Sequence, residues 1–550
     1  MTTRTAHPTA VAALADFGAI VIGAGHNGLI CAAYLARAGI KVNVLEARAS
    51  VGGNAATEIA LGGARVNICN CDHTMVRATP IIEELGLAGH GLRYLDSDLV
   101  QTNIHWDGGP AWVQFHDVAR TLDGLGRTYP GEVANYEAYL KEAVPVARLV
   151  VDVANNAPTP GSVIPKVVRR RVAGVPTMMR WTKQSIGASM RRYFQTEQLR
   201  SPLIATGPAV WGLSPETPGT GMGSLGYALR HVVKPGRPVG GSGSLPAAIA
   251  AAVLEAGGEI RCGSRVTKIL CEGANVIGVA LGDGETVRAP IVVVATDPHA
   301  ALVEWLTDAP PQAAALIARY RGQDRHDGYE SKVDAVVDQP YQYHAMSDDL
   351  AAGLGVTHDE VRNASMIVSP SLHDMATAFD LQRRGVIADR PMFFANSPSV
   401  RDPSMAVDLP AGSDVFSIEV IWTPYELAGG WEGSSEPQRW LRTFGQLVRT
   451  RSGVPFEETV RASRLMGPRE YEQQFSMARG YAPSFSGTPV SALLGKDREL
   501  SRYSTPVQGL FLTGAATFPG AGIWGASGRN AATAILASDS RSAKARRAHR

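Results

Sequence analysis

AIVIGAGHNGLICAAYLARAGIKVNVLE, residues 19–46, reads as a complete strand–turn–helix–strand unit. The short apolar run 19–22 predicts a buried strand. Gly23-Ala24-Gly25-His26-Asn27-Gly28 is a G-x-G-x-x-G turn, Leu29 to Ala38 predicts a helix stopped by Gly39, and Lys41 to Leu45 predicts a second strand with Glu46 at its end. Gly23 permits the tight turn, Gly25 lets the backbone approach a pyrophosphate, and Gly28 lets helix pack on strand. The helix N-terminus offers N–H groups and partial positive charge to the phosphates. The Glu46 carboxylate would accept hydrogen bonds from a free ribose and repel a 2′-phosphate, which makes NADP a poor occupant. The same spacing recurs at Gly221–Gly226 and Gly520–Gly525, but only the N-terminal copy has strand, turn, helix, strand and acid in order.

The chain has 550 residues, enough for two or three lobes. Apolar residues are 45%, so a large core is available. Gly is 58 of 550, above the usual share of about 7%, as fits several close approaches of backbone to a cofactor. A net charge of +2 argues against a general nucleic-acid binder. Five cysteines, an odd number in a long chain, do not make a disulfide scaffold, and a reducing cytoplasm is the simplest compartment. The N-terminus shows no basic-then-apolar leader pattern, and no apolar run reaches the roughly 18 residues needed to span a bilayer. The basic tail 538–550 reads as frayed.

Beyond Glu46 comes the pair Gly52-Gly53, then Gly62 to Arg77, GGARVNICNCDHTMVR, with Cys69, Cys71, Asp72 and His73 close together. Three readings are open: a metal set lacking a second Cys/His pair, a covalent cofactor attachment or base at Cys71 or His73, and plain packing with His73 hydrogen-bonded. Pro80 to Leu87 predicts a helix, Asp96 to Asp117 hairpin strands, and Gly131 to Val151 a helix. Pro158 to Phe194 carries eight Lys and Arg residues interleaved with apolar ones and no acid. It reads as a solvated helix pair over a cleft or as a peripheral membrane contact.

GAGHNGL followed by VLEARASVGG resembles the FAD-binding N-terminus of the glutathione-reductase-type flavoproteins that include amine oxidases and phytoene desaturases. TPYELAGG at Thr423–Gly430, RPMFFANSPSVRDPSM at Arg390–Met405 and the C-terminal GLFLTGAATFPGAGIWGASGRNAATAIL resemble the phytoene-desaturase-like family. The branch they match holds the pyridine nucleotide-disulphide oxidoreductase domain-containing proteins. The resemblance implies an α/β fold with a discontinuous Rossmann-like FAD-binding domain at 15–78, 232–302 and 495–540. An α/β substrate-binding domain would comprise 79–231 and 303–494, with 158–194 as a helical lid or membrane-facing segment. It assigns FAD to Gly23, Gly25, Asn27, Gly28, Glu46, Ala47, Arg48, Gly52, Gly53, Asn54, Val266, Ala295, Gly514, Gly522, Ile523 and Trp524. Asn54 stands where relatives often have Arg, and Phe518 where they commonly have His. It also implies a hydride taken from a C–H bond of a lipophilic or cyclic small molecule by flavin N5, with oxygen or a quinone as electron acceptor. His73, His231 and Tyr425 are the candidates for base and pocket, water being the alternative. A flavin-dependent C=C reductase and a non-catalytic lipid or prenyl carrier of the same fold are the competing expectations, and a homodimer is compatible with either.

Overall fold

The computed structural model describes residues 15–69, 72–205, 212–306, 308–328, 330–432 and 435–548. Two sheets organise it. The first is five-stranded and parallel, in the order Leu510–Leu512, Val292–Val294, Ala19–Ile22, Val42–Leu45, Glu259–Arg261. Apart from Glu259–Arg261 at one edge, its strands are short, mainly apolar runs because both faces are covered, as parallel sheets require. Leu29, Ile30, Ala33 and Leu35 of the helix His26–Arg37 pack on one face together with Leu245, Ile249 and Val253 of the helix Ser244–Glu255 and Ala531, Ala532 and Ile535 of the C-terminal helix. Ile20, Ile22, Val292, Val294 and Leu512 face the other way, onto a three-stranded antiparallel sheet of Val266–Glu272, Asn275–Leu281 and Thr286–Arg288.

The second sheet has seven strands in the order Val460–Met466, Glu330–Val337, Asp414–Ile421, Phe393–Asn396, Ser365–Ser369, Leu99–His105, Trp112–Phe115. Alternation along these strands sends Val333, Ala335, Ile418, Val420, Ala395 and Met366 to one face, where Trp440, Phe444 and Leu447 of the helix Glu436–Ser452 cover them. The opposite face carries, in one row across the sheet, Lys332, Glu419, Phe394, Ile367, Asn103 and Trp112. At the tryptophan end this face is covered by an aromatic cluster of Tyr136 and Tyr139 from the helix Val133–Ala154, Tyr193 and Phe194, and Tyr227 of the helix Gly226–Val232. At the lysine end it meets the hairpin Thr57–Ala60 and Ala64–Asn67, where Ala64 and Val66 pack on Val336 and Val415. The segment after that hairpin therefore runs along the boundary between the two sheets.

Several elements differ from the sequence expectation. The first helix begins at His26 rather than Leu29, because Gly25 itself is the N-cap and the motif supplies the first turn. Pro80 to Leu87 shrinks to the single turn Ile81–Glu84, cut short by turns through Gly86 and Gly91. The C-terminal helix runs Ala526–Ala548, through most of the tail expected to be frayed. The basic stretch is three helices, Pro160–Arg169, Val175–Trp181 and Ile186–Tyr193. Its cations find acids on neighbouring segments: Arg169 and Arg170 pair with Asp152, Arg180 with Glu142, and Arg191 with Glu216. Ile164, Val168 and Val172 stand exposed between them. No helix among the described residues is long and apolar enough to cross a membrane.

Candidate functional site

Four separated stretches converge on the N-terminus of the helix His26–Arg37. Gly23 turns the chain at φ +100°, which an L side chain rarely adopts, and a Cβ there would meet Thr296 at 2.8 Å. A Cβ on Gly28 would sit on the Gly23 carbonyl oxygen and 2.9 Å from Ala295 Cβ, so helix and strand touch only because the residue is glycine. Gly25 is different. Nothing lies within 4 Å of where its Cβ would be, no side chain caps the helix, and no acid occupies its first turn. Asn27 is buried there with Oδ1 unpartnered among the described residues. Gly52 bridges to Gly25, donating its N–H to Ala24 O at 2.9 Å, and a Cβ on Gly53 would come within 3.2 Å of Gly25 Cα, at the start of the turn Gly53–Ala55 that holds Asn54.

The acid end of the second strand completes this side. Glu46 accepts from the N–H groups of Ala24 and Arg48, each at 2.8 Å, so its two oxygens are fixed in direction while each keeps a lone pair for a diol. Ala47 links these residues. Arg48 pairs with Glu58, lies over the Phe475 ring and leaves Nη1 unpartnered among the described residues. Gly263 and Ser264 donate to the carbonyls of Arg48 and Glu46, which brings Val266 alongside. Ala295 follows the strand Val292–Val294 and donates to Ile22 O at 2.9 Å; Gly514 follows the edge strand Leu510–Leu512 and donates to Ser527 Oγ at 3.0 Å. Gly522, Ile523 and Trp524 lead into the C-terminal helix, with Trp524 packed against Ala526, Ala154 and Met75. An open helix N-terminus, glycines that admit backbone, an aligned acid and unpartnered Asn27 and Arg48 atoms fit a flavin dinucleotide. Bound there, such a cofactor supplies a two-electron acceptor for hydride.

Between this cradle and the seven-stranded sheet lies a set of charges that sequence reasoning missed. Lys332 donates to Asn67 O and to Asp334 Oδ1, the latter at 2.6 Å, and is 1% exposed. Burial opposes its charge, but Asp334 and Glu419 outweigh that and hold the ammonium protonated. Arg464 bonds Asp334 Oδ2 at 3.0 Å and Glu58 at 3.2 Å. Glu330 and Glu419, diagonal neighbours on the same face, are each partly accessible. Burial pushes Glu330 up to about 7 against the pull of Lys332, and raises Glu419 well above the carboxylate range, helped by Glu330. The linked cations Lys332, Arg464 and Arg48 face the paired carboxylates Asp334 and Glu58.

The three base candidates are not brought together. His73 is fully buried with Nδ1 2.9 Å from Tyr94 OH and Nε2 2.8 Å from Ser242 Oγ; burial pushes it down to about 3, so it is a neutral ring with both nitrogens engaged. His231 lies in the aromatic cluster, 2.9 Å from both His116 O and Tyr136 OH. Tyr425 bonds Glu472 under the Arg479 guanidinium, beyond the end of its strand. Cys69 is half-buried, its thiol raised well above the usual range first by burial and then by Glu330 and Glu419. Cys71 lies outside the described residues. Asp72 is held below the carboxylate range because Arg237 at 2.7 Å and Ser365 outweigh its burial. Among the described residues no three His, Cys, Asp or Glu side chains are grouped to hold a metal ion.

A dinucleotide cradle set against a second sheet that encloses charged and aromatic groups defines a flavin-containing oxidoreductase. The models for an NAD(P)-binding Rossmann-like domain and a flavin containing amine oxidoreductase match residues 21–77 and 153–324. The chain is 28% identical to rat pyridine nucleotide-disulfide oxidoreductase domain-containing protein 2, over 95% of this chain and 93% of that one. It is 25% identical to a limonene dehydrogenase polypeptide of Castellaniella defragrans, over 94% of each. To the zeta-carotene-forming phytoene desaturase of Myxococcus xanthus it is 25% identical over 92% of this chain and 90% of that one. The solved structure of putrescine oxidase with putrescine superposes with a TM-score of 0.60 at 15% identity, covering 95% of this chain and 99% of the other, which speaks to the fold. Over nearly its whole length the chain is thus similar to the phytoene-desaturase-like flavin oxidoreductases.

Proposed function

We propose that this protein binds FAD and takes hydride from a C–H bond of a lipophilic small molecule, as a dehydrogenase, desaturase or oxidase. The observation that carries the reading is the uncapped helix N-terminus at Gly25, with Gly52, Ala295 and the Glu46 carboxylate around it. The aligned relatives named for limonene and phytoene support an apolar substrate. So do the partly buried Phe394, Met75, Met222 and Leu225 that edge the aromatic cluster.

Loss of hydride from one atom leaves a proton to be removed from its neighbour. A carboxylate of the Glu330/Glu419 pair accepts it, while Lys332 stays committed to Asp334 and Asn67. The residues then hold the proton away from bulk water until reoxidation, for which oxygen or a quinone is the acceptor. The test is anaerobic mixing of flavin-loaded protein with cyclic and acyclic terpenoid alkenes and alcohols. Bleaching near about 450 nm, the oxidised-flavin band, supports oxidation. If only pre-reduced protein reacts, being reoxidised by an alkene, the protein works as a C=C reductase instead.

A further inference from the structure

The backbone of Arg48 belongs to the dinucleotide cradle, but its guanidinium is fixed from outside. The Arg48 N–H donates at 2.8 Å to Glu46, whose other oxygen takes the Ala24 N–H of the glycine turn. The side chain then leaves the parallel sheet. Nη2 bonds Glu58 Oε1 on the hairpin strand Thr57–Ala60, and Cζ lies 4.2 Å from the centroid of the Phe475 ring. Nη1 is sealed from solvent and has no partner among the described residues.

Glu58 alone would be a loose anchor. Its side chain is 29% exposed, and an ion pair between two long accessible side chains gains little because both must be ordered to make it. A second cation removes that freedom. Glu58 Oε2 accepts from Arg464 Nη1 at 3.2 Å, and Arg464 Nε donates to Asp334 Oδ2 at 3.0 Å. Asp334 is fully buried, and its Oδ1 accepts from Lys332 and from Ser417 Oγ, each at 2.6 Å. Each carboxylate of the chain Asp334–Arg464–Glu58–Arg48 thus gives one oxygen to each neighbour. The chain runs from the seven-stranded sheet to the residue three places beyond the strand Val42–Leu45. Phe475 comes from the helix Pro468–Phe475, which follows the strand Val460–Met466 that carries Arg464.

We propose that Arg464 is a positioning residue for the cofactor. Through Glu58 it aims the Arg48 guanidinium, so that Nη1 meets the adenylate half of FAD, and the affinity for the dinucleotide is set in part from the seven-stranded sheet. This rests on the reading of residues 19–48 as an FAD cradle. The adenylate half is the one concerned because Glu46, two residues away and bonded to Arg48 N, is the acid aligned for a ribose diol. Removing Arg464 strands no charge, since Asp334 keeps Lys332 and Glu58 keeps Arg48. What is lost is the direction of Arg48, whose long side chain regains rotamers that cofactor binding must freeze again.

The test is a double-mutant cycle read by fluorescence titration of apoprotein with FAD, with thermal unfolding of each apoprotein alongside. The chains are wild type, Arg48→Met, Arg464→Met and the double variant. Arg48→Met should weaken FAD binding roughly 10- to 100-fold, as loss of a charged hydrogen bond does. Arg464→Met should weaken it roughly 3- to 10-fold, a coupling of the size seen within one ion network. In the Arg48→Met background, Arg464→Met should change the FAD affinity no further. ADP, which carries the adenylate half alone, should lose affinity by the same factors when it competes with FAD. Arg464→Lys covers the case in which the methionine variant does not fold. A lysine cannot fork between two carboxylates, so its loss should be smaller and should also vanish beside Arg48→Met. Losses that multiply in the double variant overturn the proposal, because a general weakening of the fold acts with or without Arg48. Unchanged ADP affinity across the variants overturns it too. A wild-type protein that takes up no FAD overturns the cradle reading itself, whereas normal FAD binding by wild type and by both Arg464 variants leaves the cradle standing and removes only the role of Arg464.

Discussion

Gly25→Ala separates cofactor binding from folding. The residue sits at φ −68° and ψ 165°, backbone that alanine adopts without strain, and its Cβ would find no atom within 4 Å. The apoprotein should lose nothing and gain up to about 0.4–1 kcal/mol, since alanine has fewer unfolded conformations to give up. That same space is where a pyrophosphate must come to reach the helix N–H groups. A methyl that displaces it from one such bond costs about 1.5–3 kcal/mol, or roughly 10- to 150-fold in Kd. Gly28→Ala provides the opposite control. Its methyl would press into the Gly23 carbonyl and Ala295, an overpacking worth about 1–3 kcal/mol of stability. The assay is fluorescence titration of apoprotein with FAD, paired with thermal unfolding without cofactor. A Gly25→Ala variant that binds FAD as tightly as wild type would refute the placement of the phosphates.

If Glu330 and Glu419 accept the proton, turnover requires the ionised form. Because burial raises Glu330 to about 7, kcat/KM should rise with pH across that region, and Glu330→Gln should flatten the limb in a steady-state pH profile. Lys332→Met leaves Asp334 with Arg464 as its remaining cation among the described residues, so a loss of about 3–5 kcal/mol is expected in denaturant unfolding; pairing it with Asp334→Leu should recover part of that. His73→Gln should leave any flavin attachment as in wild type, because both ring nitrogens are already engaged; a change from bound to acid-releasable flavin on mass spectrometry would contradict this.

The cradle was legible because its chemistry is local. Strand, glycines, helix and acid fall within 28 consecutive residues of the chain, from Ala19 to Glu46, and each glycine has a steric reason visible in the motif. Ala295 and Gly514 were reachable only through resemblance, since nothing in IVVVAT or FLTGAA says that the two strands are neighbours. The buried charges were not legible at all. ESKVDAVV alternates polar and apolar residues as a half-exposed strand does, and Glu330, Lys332 and Asp334 would pass for its solvent face. Only the pairing with the strand Asp414–Ile421 and the hairpin ending at Asn67 turns that face inward. His73 and His231 drew notice by residue type, yet their engaged nitrogens depend on Ser242, Tyr94 and Tyr136, far away in sequence.

The central claim is that the chain is a working flavoprotein. The visible spectrum of the pure protein, after incubation with FAD and removal of the excess, tests it most directly. Bands near about 370 and 450 nm, the signature of oxidised flavin, with the colour released to the supernatant on acid precipitation, are the predicted result. A colourless protein that takes up no FAD would contradict the account and leave the fold as a carrier of lipophilic molecules.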